Sequence, residues 1–151
     1  MTDDGTDRYE ARRVAAGAPL SDAHEVRRAV FIDEQGVSEA EEMDGKDGDA
    51  DHWVIYDCET DTPVATARMR TPTSAVAKAE RVAVYREYRN EGLGSWLMEL
   101  LAERARELGC SKIRLHAQTA VREFYGTLGY EVVSDEFMEA NIPHVEMEKR
   151  L

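Results

Sequence analysis

The most regular pattern of apolar residues lies in the second half of the chain and predicts a long amphipathic helix. The i, i+3, i+4 spacing of such a helix is followed by Leu93, Trp96, Leu97, Leu100, Leu101, Ala105 and Leu108. Gly109 comes next, and a glycine at this point commonly ends a helix. The β-prone run Ala79–Val84 precedes the pattern, so we predict that Arg89–Ser95 connects a strand to a helix.

Shorter apolar runs, bounded by turn residues, predict the strands of a sheet. They cover Tyr9–Ala15, His52–Asp57, Val64–Arg70, Ala77–Val84, Lys112–Ala117, Tyr130–Ser134 and Val145–Arg150. Two further helices are predicted between them, which gives the element order β-α-β-β-β-α-β-α-β-β. The first helix ends at about Glu34, and Ser21 or Asp22 is expected to cap it. The second is a short helix capped by Thr119, with inward positions at Val121, Phe124 and Leu128.

The segment Val37–Asp51 is rich in Asp, Glu and Gly, and we interpret it as a solvated acidic loop. Its run Asp47-x-Asp49-x-Asp51 resembles the start of a calcium loop, but His52 stands where that loop needs its glycine. Cys58 and Cys110 do not form a cluster with zinc-ligand spacing. The sequence therefore predicts no metal site.

The chain is strongly acidic, with 31 Asp and Glu residues against 19 Lys and Arg residues and a net charge of −12. Such a surface repels nucleic acid and anionic membranes, so we expect neither as a partner. No stretch approaches the apolar length of a membrane span, and the acidic N-terminus does not resemble a signal peptide, so we expect a cytoplasmic protein. The scarcity of lysine beside this excess of acid favours a salt-adapted, halophilic protein over an ordinary acidic one.

The connection Arg89–Ser95 has the features of an anion-binding loop. The first turn of a helix carries unpaired N–H groups and the positive end of the helix dipole. Gly92 and Gly94 lack a Cβ and allow close approach of a phosphate, while Arg89 adds a positive charge. A Walker A loop is excluded because no Lys follows Gly94, and the spacing of the glycines differs from the Rossmann fingerprint. A glycine-containing loop that merely begins a helix is the alternative.

Two motifs resemble the GNAT superfamily of N-acetyltransferases. Arg89-x-x-Gly92-x-Gly94 fits the pyrophosphate loop of that family, Arg/Gln-x-x-Gly-x-Gly/Ala. Gln118–Tyr130, in which Phe-Tyr precedes Leu-Gly-Tyr, is similar to its second signature. Arg28–Gln35 and Ala140–Val145 further resemble stretches of the small ElaA-like GNAT proteins, although Asn141 replaces the usual glycine.

The resemblance implies one GNAT N-acetyltransferase domain over residues 1–151. It implies an α/β fold in which a central mixed sheet of about six to seven strands is flanked by about four helices. The implied activity is transfer of the acetyl group of acetyl-CoA, as co-substrate, to an amine acceptor without a metal. A homodimer is compatible with this expectation.

In this family the glycine loop holds the pyrophosphate of acetyl-CoA, which assigns to cofactor binding Arg89, Asn90, Glu91, Gly92, Leu93, Gly94 and Ser95. The backbone of the preceding strand pairs with the pantetheine arm and polarises the thioester carbonyl, which adds Val82, Ala83 and Val84. Tyr125 matches the tyrosine that protonates the leaving thiolate, and Glu80 is the candidate base, acting directly or through water. The alternatives are a packed aromatic for Tyr125 and an exposed strand carboxylate for Glu80.

Glu34 and His144 are expected to bind the acceptor, because in this family the first helices and the entry to the last strand wall the acceptor pocket opposite the cofactor. Glu34 would attract a protonated amine, and His144 would orient it or relay its proton. An exposed helix residue and a strand cap are the respective alternatives. For the whole chain, a non-catalytic acyl-CoA sensor is the alternative function, and a nucleotide-phosphate-binding protein is disfavoured by the missing lysine.

Overall fold

A computed structural model gives the structure of residues 8–151, and Met1–Asp7 lie outside the described residues. The strands are β1 (Tyr9–Arg13), β2 (Asp51–Asp57), β3 (Thr62–Arg70), β4 (Val76–Val84), β5 (Lys112–Gln118), β6 (Glu131–Val132), β7 (Phe137–Glu139) and β8 (Ile142–Arg150). The α-helices are α1 (Ser21–Arg27), α2 (Glu39–Glu42), α3 (Leu93–Glu107) and α4 (Arg122–Thr127). A π-helix over Arg28–Glu34 continues α1, and short 3-10 helices cover Asp47–Asp49, Arg86–Tyr88 and Thr119–Val121.

The strands form a mixed sheet with the hydrogen-bonded order β1-β2-β3-β4-β5-β8-β6, and β7 also pairs with β8. The mixed α/β architecture predicted from the sequence is therefore confirmed. The described chain has eight strands, because the short β7 adds to the predicted set. None of the helices in residues 8–151 has both the length and the apolar character needed to cross a membrane.

Two compact units can be distinguished in the described chain, and the first comprises residues 8–68 together with 81–97. In it, β1 pairs antiparallel with β2 from Tyr9↔Asp57 to Arg13↔Trp53. The inner face of the first helical segment meets the end of β4 in a small core of Val26, Val30 and Ala83, against which Phe31 and Tyr85 pack. Burial of these apolar side chains fixes the helix on the strand that leads to the glycine loop.

The second unit comprises residues 69–80 together with 98–151 and is built around β5. β5 pairs parallel with β4 over Val76–Ala79 and antiparallel with β8 over its whole length. Its side chains alternate between half-buried and buried, with Ile113, Leu115 and Ala117 buried. This alternation places one face of the strand in the core, as its period of two predicted.

The end of the long helix α3 confirms the prediction for Gly109. Gly109 has a φ of 83°, its N–H donates to the Arg106 carbonyl at 3.0 Å, and the Cys110 N–H donates to the Ala105 carbonyl at 3.0 Å. These two bonds form a Schellman motif, in which the left-handed residue satisfies carbonyls at the helix end. Glycine is favoured here because it lacks the Cβ that penalises this conformation.

The predicted caps of the two other helices are wrong. α1 has Leu20 at its N-cap without a side-chain bond, and the Asp22 carboxylate instead accepts a hydrogen bond of 2.6 Å from the Tyr56 hydroxyl. Thr119 begins a 3-10 turn, and the N-cap of α4 is Val121, whose side chain is 44% exposed rather than inward. In the first case a tertiary partner on β2 competes successfully with the local capping bond.

Candidate active site

The connection between β4 and α3 is a tightly turned loop in the first unit. Asn90 and Gly92 have φ values of 67° and 82°, and the Trp96 N–H donates to the Gly92 carbonyl at 3.0 Å, which makes Gly92 the residue from which the helix starts. A Cβ built on Gly92 would meet no atom of the described residues within 4 Å. The N–H groups of the first helical turn have no intrahelical partner, so the loop offers donors beside an open space. This geometry suits an anion such as a pyrophosphate.

A buried carboxylate anchors the turn that precedes this loop. Asp57 is fully buried at the end of β2, and it accepts hydrogen bonds from the Tyr88 hydroxyl at 2.7 Å and from the Arg8 Nη2 at 3.1 Å. The Arg8 hydrogen bond, followed by that of Tyr88, lowers the pKa of Asp57 to about 2. Sequence reasoning did not find this anchor, because neither partner lies near Asp57 along the chain.

The Arg89 guanidinium is engaged by a carboxylate and a carbonyl outside the glycine loop. Its Nε donates to the Val84 carbonyl at 3.0 Å, while Nη1 and Nη2 donate to the two Glu34 oxygens at 2.8 and 2.7 Å. The Arg89 hydrogen bonds, supported by Arg86, lower the pKa of Glu34. Glu34 thus forms a bidentate pair with a residue of the candidate cofactor loop, a contact that the sequence did not indicate. The acceptor-binding role of Glu34 stays a prediction.

The final residues of β4 combine apolar side chains with an irregular backbone. Val82 is half-buried, Ala83 is buried, and the Tyr85 N–H donates to the Val64 carbonyl at 2.9 Å. Arg81, directly before them, has a φ of 55° within the strand. A left-handed residue interrupts the regular alternation of a strand, so the N–H groups that follow it are turned relative to those before it.

The acidic segment after the π-helix is exposed over much of its length, but the prediction of a solvated loop is wrong for three of its carboxylates. Its carboxylates Glu42, Asp44 and Asp47, here called the acidic clamp, contact arginines from three other elements, α1, β3 and β4. Glu42 is 3% exposed, and the arginines Arg27 and Arg68 are 1% and 0% exposed. A buried carboxylate is stable only when it is paired, which explains why the segment folds against these arginines.

The pKa values of the clamp follow from these pairs. The Arg68 guanidinium donates to both Asp44 oxygens at 2.9 Å, and this bond lowers the pKa of Asp44 strongly. Burial alone would raise the pKa of Asp47, but hydrogen bonds from Arg27, His24 and Arg68 outweigh it and hold the pKa well below its ordinary value. Both carboxylates are therefore ionised at neutral pH. No group of three or more metal-ligating side chains occurs in residues 8–151.

In the second unit, Glu80 is held by its neighbours on β3 and β4. Arg70 Nε and Nη2 donate to the two carboxylate oxygens at 2.7 and 2.8 Å, and Lys78 Nζ lies 3.5 Å from Oε2. The side chain is 12% exposed, so the predicted exposed strand carboxylate does not describe it. A bidentate guanidinium stabilises the charged form and makes direct proton abstraction by this carboxylate less favourable.

Tyr125 lies in α4, where its ring contacts two aromatic neighbours edge-on. The centroid of its ring is 5.0 Å from that of Phe124 and 6.0 Å from that of Tyr130. Burial raises the pKa of Tyr125 to about 12, and no side chain of residues 8–151 forms a hydrogen bond with its hydroxyl. The phenol is therefore protonated at neutral pH and keeps its proton available for donation.

His144, in β8, belongs to a cluster of aromatic and acidic side chains whose other members lie on β5 and β7. Its Nδ1 lies 2.6 Å from the Ile142 carbonyl, and because a carbonyl only accepts, Nδ1 carries a proton, so that in the neutral ring the lone pair is on Nε2. The ring stacks on Phe137 at 6.0 Å, and Phe137 in turn contacts His116 edge-on at 5.0 Å. His116 Nδ1 lies 2.9 Å from a Glu139 oxygen, and this contact lowers the pKa of Glu139. The sequence alone did not indicate a role for His116.

Comparison with known proteins identifies the family. The model of the acetyltransferase (GNAT) domain matches residues 17–151. The Bacillus subtilis protein YyaT is 41% identical over 143 residues, which are 93% of this chain and 95% of that protein. Bacillus subtilis YjcF, described as an uncharacterized N-acetyltransferase, is 40% identical over 131 residues, which are 86% of this chain and 91% of that protein.

The solved structures include a near match at the level of the fold. The crystal structure of Escherichia coli ElaA superposes with a TM-score of 0.81 at 26% identity, covering 93% of this chain and 99% of that chain. The family resemblance drawn from the glycine loop and from Gln118–Tyr130 is therefore confirmed. The chain belongs to the GNAT family of acetyltransferases and is an acyltransferase.

Proposed function

We propose that this acetyltransferase transfers the acetyl group of acetyl-CoA to a primary amine, by direct attack of the amine on the thioester in a ternary complex. The observation that carries the proposal is the loop between β4 and α3, with left-handed Gly92 beside an open space at a helix start. A donor-rich turn of this kind matches the diphosphate of the cofactor.

On the cofactor side, we assign the pyrophosphate to the N–H groups of Leu93, Gly94 and Ser95, with Arg89 alongside. Arg89 is partly exposed and already shares its guanidinium with Glu34, so the cofactor would compete for part of this bidentate pair. The backbone of Val82–Val84 would receive the pantetheine arm. A fixed N–H donor there would stabilise the negative charge that develops on the thioester oxygen.

On the acceptor side, the amine must lose a proton before or during its attack. An alkyl ammonium with a pKa of about 10.4 is neutral to roughly one part in a thousand near pH 7, so a proton acceptor accelerates the reaction. Since Arg70 engages both Glu80 oxygens, Glu80 would act through water rather than directly. Nε2 of His144, which has the lone pair in the neutral ring, is the second candidate proton acceptor. We assign the protonation of the leaving thiolate to Tyr125, whose pKa of about 12 keeps it protonated.

The choice between an enzyme and an acyl-CoA sensor depends on turnover. We expect the protein to release CoA thiol from acetyl-CoA in the presence of at least one primary amine. The panel to be tested contains a small alkyl amine, an aminoglycoside-like amine, a peptide N-terminus and a lysine peptide. A thiol-specific dye measures the release, and the same mixture without amine gives the background of hydrolysis. Acetyl-CoA binding by calorimetry without release on any amine would contradict the proposal and favour the sensor.

His144 has a separate expected effect on the amine. Replacement His144→Asn keeps an N–H donor near the position of Nδ1 for the Ile142 carbonyl but removes the ring nitrogen that can take a proton. We expect kcat/KM for the amine to fall by about tenfold or more, because general-base effects are usually of this size or larger. The Kd of acetyl-CoA, measured by calorimetry, is expected to stay unchanged. Wild-type kinetics in the folded variant would remove His144 from the acceptor site.

A further inference from the structure

Arg81 is the one residue inside a strand of the described chain with a left-handed backbone. Its φ is 55° in the middle of β4, whereas the other described residues with positive φ lie in turns or loops. This conformation is costly for any residue with a Cβ, so the surrounding structure must hold it in place.

The Arg81 side chain supplies those contacts by bonding to the acidic clamp. Its Nε donates to Glu42 Oε2 at 3.0 Å, and its Nη2 donates to Asp44 Oδ2 at 3.2 Å. The same Nη2 also donates to the carbonyls of Glu41 and Glu42 at 3.2 and 3.1 Å. The short segment at the end of α2 thereby holds the Arg81 guanidinium through side-chain and backbone oxygens.

The segment that holds Arg81 is itself fixed from within the first unit. Arg27 Nε donates to Glu42 Oε2 at 2.8 Å, and the Arg68 guanidinium donates to both Asp44 oxygens. Both arginines are almost completely buried, so solvent does not weaken these bonds as it would on the surface. The three arginines Arg27, Arg68 and Arg81 thus balance the charge of the three carboxylates of the acidic clamp. Of these arginines, Arg81 is the one that lies in β4.

We propose that Arg81 is a positioning residue for acetyl transfer: anchored by Glu42 and Asp44, it fixes the left-handed turn of β4 that aims the following N–H groups at the thioester carbonyl. The proposal rests on the proposed function, in which Val82–Val84 receive the acyl-pantetheine arm. A donor that stabilises a developing oxyanion works only when its position is held closely. Arg81 would therefore act on catalysis without touching the cofactor through its side chain.

The test separates positioning from folding by a backbone-compatible substitution. Arg81→Gly removes the guanidinium, while glycine tolerates the left-handed φ. We expect a folded variant whose kcat falls by about ten- to a hundredfold, the scale of a misplaced catalytic donor, while the Kd of acetyl-CoA changes little. Arg81→Lys keeps the charge and should recover part of the loss. Arg28→Ala is the matched control, because within residues 8–151 the Arg28 side chain pairs only with Glu39, an exposed residue of the helix α2 that also holds Glu42.

A spectroscopic readout makes the test independent of the amine. The carbonyl stretch of bound acetyl-CoA, labelled with 13C at the carbonyl, is expected at lower frequency than in solution because of the hydrogen bond. In Arg81→Gly this band should move toward its solution value. An unchanged band with wild-type kcat would overturn the positioning role, as would a loss of acetyl-CoA affinity equal to the loss of kcat. Should Arg81→Gly not fold, the same readouts on Arg81→Lys decide. Failure of the proposed function would instead appear as wild-type protein that turns over no amine of the panel.

Discussion

Gly94→Val is expected to raise the Kd of acetyl-CoA by about ten- to a hundredfold, which corresponds to the loss of one or two hydrogen bonds to a charged group. Gly94 is the second residue of α3, where its N–H belongs to the unpaired first turn. A branched side chain there would keep the phosphate away from the main chain. Gly94 is preferred to Gly92 for this test, because a valine at the φ of 82° of Gly92 would strain the loop whatever the ligand.

Two further variants control this experiment, which is an isothermal titration with acetyl-CoA. Gly94→Ala adds only a methyl group and should give an intermediate Kd. Gly48→Val is the matched control, since Gly48 lies outside the loop and a Cβ there would meet no described atom within 4 Å. A folded Gly94→Val with the wild-type Kd would remove the loop from the cofactor site.

The parts of the site that the sequence predicted are those encoded by local signals. The helical period of α3 and the glycine that ends it, Gly109, are properties of a few neighbouring residues, and the structure has them where they were expected. The strand before the loop was predicted to end at Val84, and it does. Local patterns suffice here because the chain itself sets the spacing of apolar side chains and the conformation of glycine.

The parts that the sequence did not predict depend on partners far apart in the chain. The pair of Arg89 with Glu34 joins residues 55 positions apart, and the pair of Arg81 with Glu42 joins residues 39 positions apart. A segment rich in carboxylates is solvated by default, and only buried arginines from other elements reverse this. The composition of Val37–Asp51 contains no sign of those arginines. The short strand β7 was not predicted for a similar reason. It is defined by its pairing with β8, and its three residues alone carry no strand pattern.

Glu80 illustrates an intermediate case, in which the position was predicted and the environment was not. Its place on β4 follows from the strand pattern, but the bidentate bond from Arg70 depends on a neighbouring strand. Because that bond favours the charged carboxylate and occupies one lone pair on each oxygen, it makes direct abstraction less favourable and agrees with the proposed water relay or with His144. The sequence left both the direct and the water-mediated role of Glu80 open, and we propose the second.

Tyr125→Phe is expected to lower kcat by about ten- to a thousandfold, because it removes a general acid and such groups usually contribute on this scale. The leaving thiolate of CoA needs a proton, and a phenol with a pKa of about 12 stays protonated throughout the neutral and mildly alkaline range. The Kd of acetyl-CoA should barely change, since only a hydroxyl without a hydrogen bond to any described side chain is lost. The raised pKa also predicts that the wild-type rate loses nothing through deprotonation of Tyr125 between pH 7 and pH 10.

The measurement is a single-turnover rate of thiol formation, which reports the chemical step even when product release limits kcat. Tyr130→Phe is the matched control: it removes a hydroxyl from the aromatic neighbour 6.0 Å away, whose pKa burial also raises. We expect that control to keep the wild-type rate, because the proposed mechanism gives no proton transfer to Tyr130. A folded Tyr125→Phe with the wild-type single-turnover rate would show that Tyr125 is a packing residue, and the thiolate would then have to take its proton from solvent or from the attacking amine.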